Sequence, residues 1–484
     1  MLKNLAVHVT RYSLAGLAGT FAGLISFPIL TRMLSVSDYG LLSLVITTIY
    51  FIAAFGKSGL QFSIVRYYSD AKAGDGKWDL STYYSTIVYG MSGIGFSVML
   101  LWALGVYVLP GTIWGEPKLK HLLLLTAILV FAEVSLSMLT GFLQAWQQSG
   151  RLSIFRVVER YGILLAIVFT LFFISQSLEG VFIARMIAQI SIISILASYV
   201  MRKVQLSRYN FSPEMMKNML LYGVPLLGNE LVYIILSLGD RYVINWLAGS
   251  EALGIYAAAY NLCEYVKLMM VDSVFQAIRP MYFKLWAEEG VEATKAFVEN
   301  SLYFYLMLCF PIIAGVAVLG PDLLTLITSG KYTAGASVIP YVIAGLMIYG
   351  MHSMLGAGIF IKKSSAMMWI TLSAAILNIA LNILLVPQFG IEGAAQATLI
   401  SYIFMTLIET FFARKYLIIS FPFLAALKFV LLALVMYYVL DQIEMSNMLI
   451  TMAVKVIVGA VFYGLLLFIT DKKARNIVME RFKK

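Results

Sequence analysis

The chain has 484 residues, of which 61% are hydrophobic and 12% charged, and its formal net charge at pH 7 is +10. Soluble domains carry about 25% charged residues, so this composition excludes an ordinary soluble protein. Apolar runs of about twenty residues recur from end to end, and each is long enough to cross a bilayer. The sequence therefore predicts an all-α polytopic membrane protein with almost no soluble domain.

The apolar runs predict about fourteen transmembrane helices, separated by short polar breaks. The first run is too long for a cleavable signal peptide and leads directly into the second. In chain order the predicted helices are 12–34, 39–65, 82–109, 119–145, 152–174, 179–201, 218–247, 253–277, 293–319, 333–360, 365–387, 391–413, 421–441 and 446–470.

Lysine and arginine are distributed unevenly between the two sides of these helices. The N-terminus, alternate loops and the C-terminal tail are rich in them, whereas the opposite loops hold Lys118, Lys120 and Lys331. By the positive-inside rule, both termini are predicted to be cytoplasmic, in the cell (inner) membrane of a bacterium or archaeon. Because the basic charge follows topology, the expected partner is membrane lipid rather than nucleic acid.

The sequence shows no motif for covalent, nucleotide-driven or metal chemistry. Cys263 and Cys309 fall within apolar runs, and His8, His121 and His352 are far apart in sequence. Walker loops, Rossmann glycine patterns and serine-triad arrangements are not found. We therefore expect no catalytic residue, no metal and no resident cofactor, and a protein that is not an enzyme.

Several short motifs recur at a fixed offset. LEGV at 178–181 matches IEGA at 391–394, which lies 213 residues later, and Arg66 and Arg279 have the same separation. SDYG at 37–40 matches SEALG at 250–254 with one inserted residue. These matches fall at equivalent helix boundaries, so they predict a duplicated six-helix unit.

A duplicated unit of six helices enters the membrane twice in the same sense, giving two parallel lobes with a cavity between them. Helices thirteen and fourteen have no counterpart in the first half. The predicted organisation is a first lobe at 1–203, a cytoplasmic linker at 204–217, a second lobe at 218–415, an appended helix pair at 416–470 and a basic cytoplasmic tail at 471–484.

Some charged residues fall inside the predicted helices, where each costs about 2.5–3.5 kcal/mol on insertion scales. Such residues usually face a water-filled cavity, a partner or an interface, and here they lie on polar stripes at three- and four-residue spacing. The stripes predict substrate-binding cations at Lys57, Arg185, Arg241 and Lys267, further polar lining at Gln61, Gln144, Gln189, Tyr256 and Tyr260, and sites for a coupling ion at Glu230, Asp240 and Glu264.

A cationic cavity of this kind suits an anionic, hydroxyl-rich substrate such as a phosphate-linked sugar. Alternatives remain open for individual residues. Glu264 and Lys267 are three residues apart and can neutralise one another, and Arg241 can anchor a helix end at the interface.

The segment PILTRMLSVSDYGLLSL at 28–44 resembles the first-loop signature of the polysaccharide transporter, or oligosaccharide flippase, family. That family belongs to the multidrug/oligosaccharidyl-lipid/polysaccharide exporter superfamily. Segments 239–260 and 381–402 are similar to its second-half patterns, so the resemblance covers essentially the whole chain.

The resemblance implies a V-shaped, monomeric carrier that moves an undecaprenyl-pyrophosphate-linked oligosaccharide to the periplasmic leaflet. It further implies alternating access with H⁺ or Na⁺ antiport, an extra helix pair that guides the lipid tail, and polymerase or glycosyltransferase partners in the synthesis of surface polysaccharide of the O-antigen type.

Other functions stay open at this point. A multidrug and toxin extrusion (MATE) antiporter usually has twelve helices and an acidic site, and a peptidoglycan-precursor flippase shares the architecture without a separate signature. A scaffold, glycosyltransferase or glycan polymerase is a further alternative, but a polymerase is expected to carry a large periplasmic loop.

Overall fold

The computed structural model describes residues 2–73, 77–363 and 365–482. All regular secondary structure within these residues is helical, and ten of the helices found there are long and apolar enough to cross a membrane. Two of the ten, Pro213–Glu288 and Ala366–Ala413, have 76 and 48 residues, and each is long enough for two crossings, since one crossing needs about 20 residues. The prediction of an all-α membrane protein is confirmed, whereas the count of fourteen crossings stays a prediction.

The chain divides into two compact units, Met1–Gly254 and Ile255–Lys484. The first unit extends beyond the predicted lobe at 1–203 and includes the seventh predicted helix, and the division into two six-helix lobes stays a prediction. Its helices are α1 (Leu2–Met33), α2 (Val36–Lys57), α3 (Leu60–Ala73), α4 (Leu80–Val108), α5 (Pro117–Leu125), α6 (Ala127–Ala145), α7 (Ser149–Phe173), α8 (Leu178–Met201), α9 (Pro213–Leu238) and the first part of α10 (Asp240–Lys267).

In the second unit, α10 continues through a short π-helix, Leu268–Asp272, into the next helix. The end of the predicted basic tail, Lys483 and Lys484, lies outside the described residues. The remaining helices are α11 (Ser273–Glu288), α12 (Val291–Thr328), α13 (Ile339–Leu355), α14 (Ala357–Lys362), α15 (Ala366–Ala413), α16 (Phe423–Asp441), α17 (Met448–Thr470) and α18 (Lys472–Phe482).

The predicted second helix, 39–65, is broken into α2 and α3. Ser58 and Gly59 have φ angles of 48° and 75°, and the Ser58 N–H closes α2 by donating to the carbonyl oxygens of Ala54 and Phe55 at 3.1 and 3.0 Å. Left-handed backbone disfavours side chains with a Cβ, so glycine suits this break. The predicted helices eleven and twelve, 365–387 and 391–413, both lie within α15, whose backbone leaves helical geometry at Gly390 (φ 58°, ψ −137°), so a bend lies where the sequence predicted the break.

The core of the first unit lies where α3, α4 and α6 meet. Ile64, Tyr83 and Phe142 are each completely buried, and the rings of Tyr83 and Phe142 pack edge to face with centroids 6.2 Å apart. The Tyr83 hydroxyl donates to the carbonyl oxygen of Ile64 at 2.6 Å, which satisfies its polar end inside an apolar core. This packing fixes α3, the helix that follows Lys57.

The two matched loop segments, 37–40 and 250–254, contact each other within the first unit. Oγ of Ser37 and Oγ of Ser250 are 2.7 Å apart, and the two residues are separated by 213 positions. A Cβ added to Gly40 would overlap the carbonyl oxygen of Ser250, and one added to Gly254 would overlap that of Val36. The two matched segments therefore meet backbone to backbone, and the duplication itself stays a prediction.

In the second unit, the appended helices α16 and α17 pack against α12 and against each other. Asp471, just after α17, forms an ion pair with Lys428 and accepts a hydrogen bond from the hydroxyl of Tyr303 on α12. Burial raises the pKa of Asp471, but the bonds from Lys428 and Tyr303 outweigh it and hold that pKa below its ordinary value. The carboxylate thus joins α16 and α12 at the end of α17.

Candidate functional site

Lys57 and Glu230 form an ion pair inside the first unit. Lys57 is the last residue of α2 and Glu230 lies within α9, and the two side chains are 18% and 22% exposed. The second carboxylate oxygen of Glu230 accepts from Nε2 of Gln61 at 2.7 Å. The sequence assigned Lys57 to the substrate and Glu230 to a coupling ion, and the structure joins these two groups in one contact.

Close approach of backbones holds this pair together. A Cβ added to Gly59 would overlap the carbonyl oxygen of Gly223, so α9 and the break between α2 and α3 are in direct contact. Further along α3, Oγ of Ser63 donates to the carbonyl oxygen of Met219 at 2.8 Å. Because α9 is thus fixed against α2 and α3, Glu230 reaches Lys57 and Gln61 from the opposite helix.

Arg185 belongs to a second buried network of the first unit. Its Nη2 lies 3.4 Å from Oε1 of Glu133 on α6 and 3.5 Å from the hydroxyl of Tyr50 on α2, and Nε2 of Gln189 donates to the same Glu133 oxygen at 2.9 Å. Nε of Arg185 and Oε1 of Gln189 are buried and have no hydrogen-bond partner among the described residues. An unsatisfied buried group costs about 1–3 kcal/mol, so an oxygen ligand at Nε would be stabilising.

The predicted cation Arg241 lies at the start of α10, next to Asp240, and the two residues are 8% and 2% exposed. Nη1 of Arg241 donates to Oγ1 of Thr47 on α2 at 3.2 Å. Arg241 is therefore buried against the same helix that carries Lys57. Gln144, which the sequence predicted as polar lining, is exposed on α6.

The remaining predicted residues lie on α10 in the second unit. Nζ of Lys267 is 2.7 Å from Oε1 of Glu264, with side-chain exposures of 7% and 31%, and it lies 5.8 Å from the centroid of the Tyr349 ring. This geometry matches the alternative in which Lys267 and Glu264 neutralise one another. Tyr256 and Tyr260 are buried, at 0% and 3% exposure.

A charged cluster in the second unit was not predicted. The carboxylate of Glu409 on α15 lies 3.0 Å from Nδ1 of His352 on α13, and Nη2 of Arg279 on α11 lies 3.2 Å from Nε2 of the same ring. The available signal was Glu409 itself, an acid inside a predicted helix with no basic residue within four positions. The other two residues are distant in sequence, so only folding brings them to it.

These pairs share a chemical property. Lys57, Arg185 and Lys267 each have a carboxylate partner, so the cations are neutralised in the structure. A phosphate group competes well for such cations because charge-assisted hydrogen bonds to phosphate are strong. A buried carboxylate that loses its cation favours uptake of a proton or metal cation. The arrangement can therefore bind an anionic ligand and a cation together.

Helices of this length and hydropathy, with paired charges buried among them, define a multi-span membrane protein. The sequence profile of the family described as polysaccharide biosynthesis protein matches residues 5–286. That match covers more than half of the chain, and the chain belongs to this family.

Two named relatives and one solved structure show how far the similarity extends. The succinoglycan biosynthesis transport protein ExoT of Rhizobium meliloti is 20% identical over 512 residues, covering 99% of this chain and 97% of ExoT. The probable low-salt glycan biosynthesis flippase Agl15 of Haloferax volcanii is 20% identical over 185 residues, so the match spans only 39% of Agl15 and 38% of this chain. The structure of the lipid II flippase MurJ in its inward closed conformation has a TM-score of 0.79 at 16% identity, covering 96% of this chain and 99% of that one. That likeness shows a shared fold.

Proposed function

We propose that the protein is a flippase that moves an undecaprenyl-pyrophosphate-linked oligosaccharide from the cytoplasmic to the periplasmic leaflet for surface polysaccharide biosynthesis. Family membership, the fold shared with MurJ and the full-length similarity to ExoT support this function. The observation that carries it is the Lys57–Glu230 ion pair, which places a partly accessible lysine between helices of the two predicted repeats.

Transport by alternating access then follows from exchange of partners. The pyrophosphate replaces Glu230 as the partner of Lys57, which acts as a point charge. Glu230 is left without its cation in a poorly hydrated site, so it binds H⁺ or Na⁺. Nε of Arg185 offers a further donor to a phosphate oxygen. When the substrate leaves, the Lys57–Glu230 pair re-forms and releases the ion on the same side, so this exchange moves substrate and ion in the same direction, unlike the antiport that the family resemblance implies.

Replacing both Lys57 and Lys267 with alanine tests the cationic site. We expect K57A/K267A to abolish export of surface glycan while the protein remains in the membrane, measured by glycan staining and immunoblotting. K77A is the matched control, because Lys77 also pairs with a glutamate of α9, Glu214, but both side chains are more than half exposed. Normal surface glycan in the double variant would rule out the cationic site.

Two alternative transport functions are distinguished by substrate. A MATE-type antiporter exports cations, whereas Glu230, Glu133 and Glu264 here already have cationic partners, which favours an anionic substrate. A peptidoglycan-precursor flippase would share the fold. Proteoliposomes given fluorescent lipid-linked oligosaccharide, lipid II or ethidium distinguish the three, and we expect flipping of the first. Export of ethidium alone would overturn the proposal.

The same proposal includes a monomeric carrier with both termini in the cytoplasm, working beside glycosyltransferases and a polymerase in the cell membrane of a bacterium or archaeon. The positive-inside distribution of charge supports this orientation. Cysteines at Lys331 and Lys203 test it, since the first is expected to react with an impermeant reagent added outside cells and the second is not.

A further inference from the structure

Three helices of the second unit bring an arginine, a histidine and a glutamate into one chain of contacts. Glu409 is completely buried and His352 is 6% exposed. The imidazole Nδ1 lies 3.0 and 3.2 Å from the two carboxylate oxygens, and Nη2 of Arg279 lies 3.2 Å from Nε2. A Cβ on Gly356 would overlap Oε1 of Glu409, so the glycine makes room for the carboxylate.

The donor properties of these groups fix the protonation state of the cluster. A guanidinium has donors and no acceptor, so Nε2 of His352 must accept from Arg279. The ring proton therefore lies on Nδ1 and is donated to Glu409. His352 is neutral in this arrangement, and the positive charge of Arg279 is balanced by the negative charge of Glu409.

Arg279 is the accessible member of the cluster. It is half-buried, its Nε donates to Oγ of Ser353 at 3.1 Å, and its guanidinium lies 5.0 and 4.7 Å from the rings of Phe275 and Phe360. Aromatic faces hold a guanidinium in place. With Nε and Nη2 engaged by Ser353 and His352, an oxyanion can approach Nη1 and compete for Nη2. A phosphate group is therefore the ligand chemistry that Arg279 fits.

Other titratable groups surround the cluster from several elements. Asp272 in the π-helix interacts electrostatically with Arg279 and Lys267, so the local charges remain close to balanced. Tyr282 on α11 interacts electrostatically with Arg279 and Glu409, and the ring of Tyr349 on α13 stacks on His352. Further out, Tyr402 on α15 packs against Tyr349, and the hydroxyl of Tyr305 on α12 donates to the carbonyl oxygen of Met347.

We propose that Arg279, His352 and Glu409 form a phosphate- and proton-binding site in which Arg279 and one proton compete for Nε2 of His352. While Arg279 donates to Nε2, that nitrogen cannot be protonated. When a phosphate group draws Arg279 away, Nε2 is freed and takes a proton from solvent, and the imidazolium then balances the buried Glu409. The site rests on the proposed function for its ligand, the pyrophosphate of a lipid-linked sugar.

The sign of this coupling is fixed by linkage. Phosphate binding promotes proton uptake, so a lower pH must strengthen phosphate binding by the same factor. One coupled proton corresponds to at most about tenfold in affinity per pH unit. The carrier would thus bind its substrate together with a proton at this site, independently of the Lys57–Glu230 pair.

The tautomer of His352 gives a direct test in an otherwise native protein. The chain has three histidines, so the variant H8Q/H121Q leaves His352 as the single ¹⁵N-histidine signal in nanodiscs of zwitterionic lipid. We expect the neutral Nδ1–H tautomer at pH 8 and the imidazolium after addition of a diphosphate. The Nε2–H tautomer at pH 8 would overturn the proposal.

Three separate additions identify the source of the phosphate group: inorganic pyrophosphate, farnesyl pyrophosphate, and anionic phospholipid in place of the zwitterionic lipid. A response to farnesyl pyrophosphate alone supports a lipid-linked diphosphate. A response to inorganic pyrophosphate or to anionic phospholipid supports the site with free diphosphate or a headgroup as its ligand. No response to any of the three overturns it.

Calorimetry in two buffers of different ionisation enthalpy measures the proton directly. We expect uptake approaching one proton per bound farnesyl pyrophosphate in wild type and none in H352Q, because glutamine keeps a donor for Glu409 and an acceptor for Arg279 but does not titrate. H121Q is the matched control and should behave as wild type. Equal uptake in H352Q and wild type would contradict the site.

Failure of this site and failure of the proposed function give different results. If lipid-linked oligosaccharide is not flipped at any pH while diphosphate still drives proton uptake at His352, the flippase function fails and the site survives. If flipping is normal and its pH dependence is identical in wild type and H352Q, the site fails and the flippase function survives.

Discussion

Lys57 and Glu230 show how single charged residues are accommodated in helices that cross a membrane. Either side chain alone would be costly to bury, whereas together they form a pair whose exposures are only 18% and 22%. Removing one partner from a buried pair costs more than removing both, because the remaining charge is left uncompensated. The stability of the pair and its readiness to exchange partners are therefore two properties of the same contact.

A double-mutant cycle measures this coupling. We expect K57M and E230M each to lower stability by about 1–3 kcal/mol, and K57M/E230M to recover at least half of the summed loss. Thermal unfolding of the purified protein in detergent provides the comparison. Additive losses in the double variant would show that the two side chains do not stabilise each other.

The ionised carboxylate of Asp471, at the end of α17, is expected to contribute to the free energy of unfolding in a pH-dependent way. Because its pKa in the folded protein is below the ordinary value of 3.8, its contribution is present above that value and is lost as the pH falls through the lower folded pKa. We expect D471N to be about 1–3 kcal/mol less stable than wild type at pH 7, and the gap to narrow below pH 3.8.

The exposed Asp441 at the end of α16 supplies the control for this measurement. D441N should unfold with the same midpoint as wild type across the same pH range. A gap between D471N and wild type that stays constant down to pH 3 would contradict the role of the ionised carboxylate.

At the scale of helices, the break between α2 and α3 decides where the first unit can bring charges together. Gly59 has a positive φ and touches the backbone of Gly223 on α9. An unbroken helix over 39–65 would carry Lys57 and Gln61 on one continuous face. The break instead ends α2 at Lys57, and Glu230 accepts from one residue on each side of it.

Gly59→Ala is expected to destabilise the protein by about 2 kcal/mol or more. Alanine is strained at the positive φ of this position, and its Cβ would overlap the carbonyl oxygen of Gly223. It should also reduce flipping, because α9 must move away from the break. G93A is the matched control, because Gly93 lies within α4 and a Cβ there meets nothing within 4 Å. Unfolding midpoints and flipping rates that are equal in the two variants would contradict the close contact.

At the scale of the whole molecule, the predicted duplication coincides with a direct contact. Ser37 and Ser250 occupy equivalent positions of the two predicted repeats and touch each other. Oγ of Ser250 also donates to Glu116 at 2.6 Å, and Lys118 pairs with Asp38, so the contact is reinforced by charge. A carrier that alternates between two states must break contacts of this kind in one of them.

Cysteines at these positions test whether the contact opens during transport. In a C263A/C309A background, S37C/S250C should form a disulfide under mild oxidation, since the two Oγ atoms are only 2.7 Å apart. We expect the cross-link to block flipping of lipid-linked oligosaccharide and a reductant to restore it. Full activity of the cross-linked protein would show that this contact stays closed throughout the cycle.

Much of the fold was predictable from the sequence because long apolar runs, basic loops and helix-start residues act locally. The predicted helix 179–201, for example, corresponds to α8, Leu178–Met201. The helix break at Ser58–Gly59 was not predicted, because the apolar pattern continues across it, whereas the predicted gap between 387 and 391 coincides with the bend at Gly390. A local pattern does not reveal a change of backbone direction that packing against another helix stabilises.

The sequence by itself determined that the chain is a helical membrane protein and which charged residues lie within its apolar segments, and it predicts that two copies of one unit recur along it. Composition and spacing suffice for these properties, because transfer from water to lipid depends on each segment alone. Only the tertiary structure decided which charges meet. Lys57 contacts Glu230, and His352 joins Arg279 to Glu409, in each case across helices far apart in sequence. Burying a charge is costly, and the packing of the helices decides which partner offsets that cost.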